Sequence, residues 1–537
     1  MRRAALQRPA VRRPLFGLAA LLLAGWLPVL AAGPHTADGW YAAGQGAMKA
    51  GQFRQAAVDF AQAAALNPSA ANWRWLGEAH QKSGDTAAAA SAFDRAIALY
   101  RERGDVATAN ALDHRVAPLR QTAELRLLGA PGAPDPACNP PLARLEPAGG
   151  LLMGTYVSEA NLNRPADGAP RLSFPAASAL DFAVYFRYFS LLPAGQGEVF
   201  PTRFIQAVRA AGGAAHLAVE PRLPLAQVSE AYILPFAQAA RASGVPIYLR
   251  FAGEMNDPAN AWSRDPAAYR AAFARVARVM HRTAPNVAMV WMPMASRLES
   301  IGAYYPGAES VDWAGLSLYS VPFENGQLQR PNDAVHPSDL IEGFYRQYAC
   351  LHPIQLSEYA ASHRSQAAPD RDFTPFALQQ MRETYWGAML HFPRLKNINW
   401  LDLDMTTATG ITKSTVRLND YRLYAVPAKL SVLSTVLGEP YFRASVTHPV
   451  LPLGSQVWPA IVAPAADQRG AVWLKTAAPV QALTLTLDGR PVPTEEALPY
   501  RFTLAQAGLG LGAHILKLDV TLENGGKITR TQTFTVR

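Results

Sequence analysis

The segment PIYLRFAGEMN, Pro246 to Asn256, begins with a short, mainly apolar and aromatic run opened by Pro246 and closed by Gly253. It is too short and too rich in aromatic and β-branched residues for a globular helix, and reads as a buried strand. Seven more runs of this kind lie between about Gly149 and Met405: LLMGTYVS, LDFAVYFRYF, AAHLAVEP, VAMVWMP, VDWAGLSLYS, PIQLSEY and INWLDLDM. Helical patterns separate them, so eight parallel strands closing into a (β/α)8 TIM barrel are expected over residues 149–436. An open doubly wound sheet is the weaker alternative, because no Gly-rich phosphate loop follows the first strand.

Working outward, residues 129–148 form a Pro-rich linker, in which GAPGAPDPACNPP excludes helix and central strand. Before it, Gly44, Gly51, Ala56, Phe60 and Ala63 recur 33 residues later as Gly77, Gly84, Ala89, Phe93 and Ala96, and Trp40 recurs as Trp73. This spacing predicts two helical hairpins, with a degenerate capping helix from about Asp105 to Leu128; the pattern resembles the tetratricopeptide repeat. The helical region 37–128 is either a surface for a protein partner or a structural appendage of the barrel. Residues 437–537 alternate apolar and polar positions between Gly-containing turns, the pattern of a β-sandwich, and LTLTLDGRPV followed by LPYRF resembles bacterial immunoglobulin-like modules.

The chain has 537 residues and a formal charge of +9. Five arginines (Arg2, Arg3, Arg8, Arg12, Arg13) fall in the first 32 residues; without them the net charge is +4, and no later Lys/Arg block marks a nucleic-acid binder. Residues 1–32, with the apolar run Leu15 to Leu30 and the small residues Ala31-Ala32-Gly33, read as a signal peptide, so a periplasmic or secreted location is expected, with no further membrane span. The alternative is an uncleaved anchor, for which that run is short. In an oxidising compartment Cys138 and Cys350, both expected near the amino-terminal face of the barrel, are candidates for a disulfide.

The chemistry is expected at the carboxyl ends of the strands. Strict alternation along PIYLRFAGEMN puts Arg250, Ala252 and Glu254 on the inner face, and along PIQLSEYAAS puts Leu356 and Glu358 there. Two glutamates at the rim are the minimum for glycoside hydrolysis, one protonating the leaving oxygen and the other attacking the anomeric carbon or activating water. His216 and Glu220 are secondary inward candidates, and Asp402 and Asp404 share a strand face with Trp400. Scattered histidines without HExxH or CxxC spacing imply no metal, and no cofactor motif is present.

RFAGEMN with Trp262 and Tyr269, PIQLSEYAAS, and YYPGAESVDWAGLSLYS (Tyr304 to Ser320) together resemble the family 26 glycoside hydrolases, best known as β-mannanases. The resemblance covers roughly residues 150–410. It implies a retaining mechanism on a β-linked polysaccharide, with Glu254 as general acid/base and Glu358 as nucleophile. It also implies Arg250 and Tyr319 beside the nucleophile, and Asn256, Trp262 and Trp400 in contact with sugar. Gly253 departs from the family, which usually has His there, and this bears on mannan specificity. A polysaccharide-binding or assembly protein that has lost turnover is the competing reading.

Overall fold

The computed structural model describes residues 35–537, except 130–139, 164–167, 173–179, 194, 296–297, 333–334, 408–417, 447–453, 463–466 and 477. Residues 1–32, read from the sequence as a signal peptide, and Cys138 lie outside the described residues. Cys350 is disulfide-bonded. No described helix is long and apolar enough to cross a membrane.

Eight parallel strands close a barrel: β1 (Leu151–Tyr156), β2 (Val184–Leu191), β3 (Ala214–Pro221), β4 (Ile247–Phe251), β5 (Val287–Trp291), β6 (Trp313–Ser320), β7 (Ile354–Ala361) and β8 (Leu395–Trp400). Closure is made by β8 pairing back to β1, Asn397 opposite Leu152 and Trp400 opposite Thr155. Six α-helices surround it, from Thr202–Ala210 to Pro427–Leu437. The expected (β/α)8 alternation is interrupted twice: among the described residues no α-helix joins β1 to β2, and only the 3-10 segment Leu298–Tyr304 separates β5 from β6. Helix starts follow local chemistry. Asp265 accepts from the amides of Ala267 and Ala268, with Pro266 at the first helical position, where its missing N–H costs nothing.

The barrel interior is unusually polar on one side. Gln355 donates to Asn397 Oδ1 (2.5 Å), Asn399 donates to the same oxygen (2.8 Å), and Asn397 donates to Leu152 O (2.9 Å). All three side chains are fully buried, so these bonds repay their desolvation. Gly154 is required beside them, since a Cβ there would lie 1.9 Å from Asn399 Oδ1. The amino-terminal end is plugged by the chain leading into β1. Tyr248 donates to Leu145 O (2.9 Å), Trp313 to Arg144 O (2.8 Å), and Glu146 pairs with Arg394 (2.6 Å).

Among the described residues five α-helices precede the barrel: α1 (Ala37–Lys49), α2 (Phe53–Leu66), α3 (Ala70–Ser83), α4 (Thr86–Glu102) and α5 (Val106–Val116). The 33-residue offset has a direct structural counterpart. A Cβ on Gly44 would lie 2.8 Å from the Phe60 ring, and one on Gly77 2.7 Å from the Phe93 ring, so each glycine admits the aromatic ring of the paired helix.

The expected capping helix to Leu128 is shorter than the sequence suggests. It ends at Val116, and Thr122–Leu128 is instead a strand in a four-stranded sheet, between Ser455–Val457 and Gln468–Lys475. That sheet and a five-stranded one, containing Val480–Leu487, Gly512–Leu522 and Lys527–Val536, share one apolar core built on Leu125, Trp458, Phe502, Leu518 and Phe534.

His391 joins this unit to the barrel. Its ring lies flat on Trp473 (3.8 Å between centroids, 3° between planes) and its nitrogens face Glu124 (3.3 Å) and Glu342 (3.1 Å). Burial opposes the imidazolium, but the two carboxylates outweigh it and hold His391 above its ordinary value. Burial likewise opposes both carboxylates, and His391 holds each below its ordinary value. The His391 contribution is therefore complete below about pH 6.5 and is lost as pH rises through its raised value. The carboxylate contribution is present above about pH 4.5 and is lost on acidification through their lowered values. His391→Gln should lower stability near pH 6 by about 1–2 kcal/mol, a figure reduced for solvent screening at the more exposed Glu342. Thermal melts should show this deficit shrinking in alkali; a deficit independent of pH would refute the clasp.

Candidate active site

Glu254 and Glu358 meet inside the carboxyl-terminal mouth of the barrel, but neither arrives there by simple alternation. β4 ends at Phe251, and the chain then takes left-handed backbone at Ala252 (φ 48°) and at Glu254 (φ 54°). Such conformations cost on the order of 1 kcal/mol each in non-glycine residues and must be held by their surroundings. They are held here. The Glu254 amide donates to Met292 O (2.7 Å), Asn260 donates to Glu254 O (2.9 Å), and Trp262 Nε1 donates to Gly253 O (2.8 Å).

In β7 the pairing with β6 slips between Leu356 and Glu358, so that Leu356 faces Leu316 and Glu358 faces Ser317. Ser357 points inward, donating to Gln355 Oε1 (2.8 Å), and a Cβ on Gly315 would lie 2.3 Å from its hydroxyl. The bulge then brings Glu358 inward as well, whereas Leu356, expected inside, packs in the outer core.

The two carboxyls have different surroundings. Glu358 is 3% exposed; it pairs with Arg250 Nη1 (2.5 Å), accepts from Tyr188 OH (2.7 Å) at one oxygen and from Tyr319 OH at the other. Burial, and then Glu358 itself, push both phenols well above their ordinary value, so they remain proton donors. Burial would lower Arg250, but Glu358 and its neighbours outweigh that and raise it. The guanidinium also lies over Phe186 (5.3 Å) and Tyr188 (5.4 Å). Glu254, by contrast, accepts from one hydroxyl, that of Ser317 (2.6 Å). Burial, reinforced by the charge of Glu358, pushes its carboxyl up to about 7 against the pull of Ser317 and Arg250.

Three residues expected to contact sugar are placed otherwise. Asn256 is buried, its amide closed on the backbone of Met294 by two bonds (3.0 and 2.8 Å). Trp262 is 9% exposed and braces the Glu254 loop through Gly253. Trp400 is fully buried on the outer face of β8, edge-on to Tyr359 (5.5 Å), with Nε1 donating to Tyr421 O (3.1 Å); it has no free face to floor a subsite. Asn397 and Asn399 take the inner face of β8, which leaves Trp400 outside, and Asn256 and Trp262 are spent on holding the loop that carries Glu254.

Of the secondary candidates, His216 is buried against Phe186 (5.1 Å) in the interior, and Glu220 pairs with Arg222 (2.6 Å). Asp402 accepts from the Leu423 amide (2.5 Å), and Asp404 from the Thr406 amide (2.9 Å). Tyr188 was not singled out from the sequence, although alternation along LDFAVYFRYF places it on the face of Phe186. Gly253 is close-packed: a Cβ there would lie 3.0 Å from Met292 Cε and 3.2 Å from the Arg250 stem, so a His would have to displace Arg250 or Met292. Among the described residues no cluster of His, Cys, Asp and Glu is arranged to hold a metal.

No protein-family model matches the chain, and no curated protein matches it. Among solved structures it is similar to a GH26 β-mannanase from Bacteroides ovatus, at 13% identity and TM-score 0.37 over 57% of this chain and 92% of that one. It is also similar to GH26C from Muricauda sp., at 12% identity and TM-score 0.40 over 57% and 89%. A β-glucuronidase from Bacteroides uniformis aligns at 13% identity and TM-score 0.34, over 77% of this chain but 48% of that one.

Proposed function

We propose that this protein is an exported retaining glycoside hydrolase that cleaves a β-linked polysaccharide, mannan-like or a bacterial exopolysaccharide. One observation carries the reading: two carboxyls at the barrel mouth, one wrapped by a cation and two phenols, the other raised to about 7 and bonded to a single hydroxyl. This is the division of labour that the two-carboxyl mechanism needs. Glu254 gives its proton to the glycosidic oxygen as Glu358 attacks the anomeric carbon, releasing one sugar and forming a glycosyl ester. Water, deprotonated by Glu254, then displaces Glu358 and restores both groups. Arg250, Tyr188 and Tyr319 orient the nucleophile. The family resemblance of RFAGEMN and PIQLSEYAAS supports the same roles.

The helical region offers a separate open groove of about 530 Å³ between α2 and α3, lined by Arg54, Val58, His80 and Asp85. A protein partner for the helical region remains a proposal of its own, to be tested at this groove.

Incubation of the mature protein with mannans, glucans, xylans and bacterial exopolysaccharides should release new reducing ends from at least one of them. Retained binding without release would establish the competing reading, a polysaccharide-binding protein of an assembly system.

A further inference from the structure

Lys429 lies in the helix Pro427–Leu437 and is fully buried, yet no step of the proposed mechanism uses it. Its ammonium is fully satisfied. Nζ donates to Ala361 O (2.9 Å), to Arg422 O (3.2 Å) and to His363 Nδ1 (3.2 Å), three acceptors for three hydrogens, and it sits over the Trp400 ring (5.2 Å). Burying a lysine is costly, and an apolar side chain of similar length would fill the same space without that cost. What the ammonium adds is a fixed geometry between three pieces of chain.

Those pieces converge on the nucleophile. Ala361 ends β7, three residues beyond Glu358. The segment 418–424 carries Arg422 and Tyr421; the Tyr421 carbonyl accepts from Trp400, and its ring packs on Tyr319 (5.2 Å), the phenol that donates to Glu358. His363 continues the cluster to Asp420 (3.6 Å), which in turn holds Arg422 (2.5 Å).

We propose that Lys429 is a positioning residue for the nucleophile: it latches the end of β7 to the 418–424 segment and so fixes Tyr319 and Glu358 relative to each other. The latch reaches Glu358 only through Tyr421 and Tyr319, so it should set kcat rather than substrate affinity. Its other charged neighbours are Asp402, just after β8, and Asp420 and Arg422 of the 418–424 segment.

This inference rests on the proposed hydrolase reading, and its test separates the two. Lys429→Met keeps the volume and removes the charge. In the full-length protein it should lower kcat about ten- to a hundredfold with KM unchanged, the penalty of a small misplacement. The melting temperature should hold or rise, because a buried charge has been removed. Hydrogen exchange should quicken at 359–363 and 418–424 and nowhere else. A parallel fall in kcat and melting temperature, or a change in KM alone, would overturn the proposal, as would unchanged exchange in both segments. If the wild type cleaves no glycan, the hydrolase reading fails, while the exchange comparison still decides the latch. Should Lys429→Met not fold, Lys429→Leu, which also removes every hydrogen the latch uses, carries the same test.

Discussion

Glu358→Gly is expected to lower turnover by roughly 10⁴-fold or more, since it removes the carboxylate that Tyr188 and Tyr319 orient and that forms the glycosyl ester. Sodium azide should restore part of the rate. Azide would enter the space vacated by the side chain, attack from the same face, and leave a glycosyl azide of inverted configuration while Glu254 protonates the departing oxygen. The stability cost must be read separately. Arg250 is 4% exposed and pairs with Glu358, and stranding a buried cation typically costs about 3–5 kcal/mol. Melting temperature and circular dichroism should therefore accompany the kinetics. Glu358→Gln, which leaves an oxygen for Arg250, should fold better and be equally inactive. Activity within tenfold of wild type in either variant would remove Glu358 from the mechanism.

The second large effect concerns Glu254. As general acid it must be protonated, so kcat/KM should fall as pH rises through about 7, the value to which burial and Glu358 push it. Glu254→Gln should cost about 10²- to 10⁴-fold on substrates with poor leaving groups and should abolish that alkaline limb. Stability should move the other way. A carboxyl raised in the folded state favours folding fully below its ordinary value of about 4.5, and this contribution is lost as pH rises through about 7. Above pH 7 the native protein therefore carries a poorly solvated charge that Gln does not. Glu254→Gln should melt higher than wild type at pH 8 and show no such gain at pH 4. A retained alkaline limb in the variant would assign the limb to another group.

The barrel and its two glutamates were legible because strand runs are marked by composition and because Glu is rare at the end of an apolar run. Their exact aim was not. Alternation assumes an unbroken strand, and this chain breaks the assumption at both glutamates, through left-handed Ala252 and Glu254 and through the slip after Leu356. Both features are stabilised by distant partners, Met292 and Gly315 among them, which no local window contains. The same limit explains Trp400, whose position on the outer face follows from closure against β1. It explains Thr122–Leu128 too: TAELRLL has good helix formers, and only its partners beyond residue 450 make it a strand.

That strand makes the barrel an insertion. The chain leaves the four-stranded sheet at Leu128 and returns to it at Ser455, so the sheet ties together the two ends of the intervening chain. A ribosome finishing this protein must deliver the whole barrel before the first strand of the terminal module meets its neighbours, a contact of long sequence separation and hence slow closure. Until then Thr122–Leu128 is an unpaired edge. Anyone trimming the gene at the apparent boundary near residue 130, to free either the helices or the barrel, would amputate an inner strand from a domain more than 300 residues downstream.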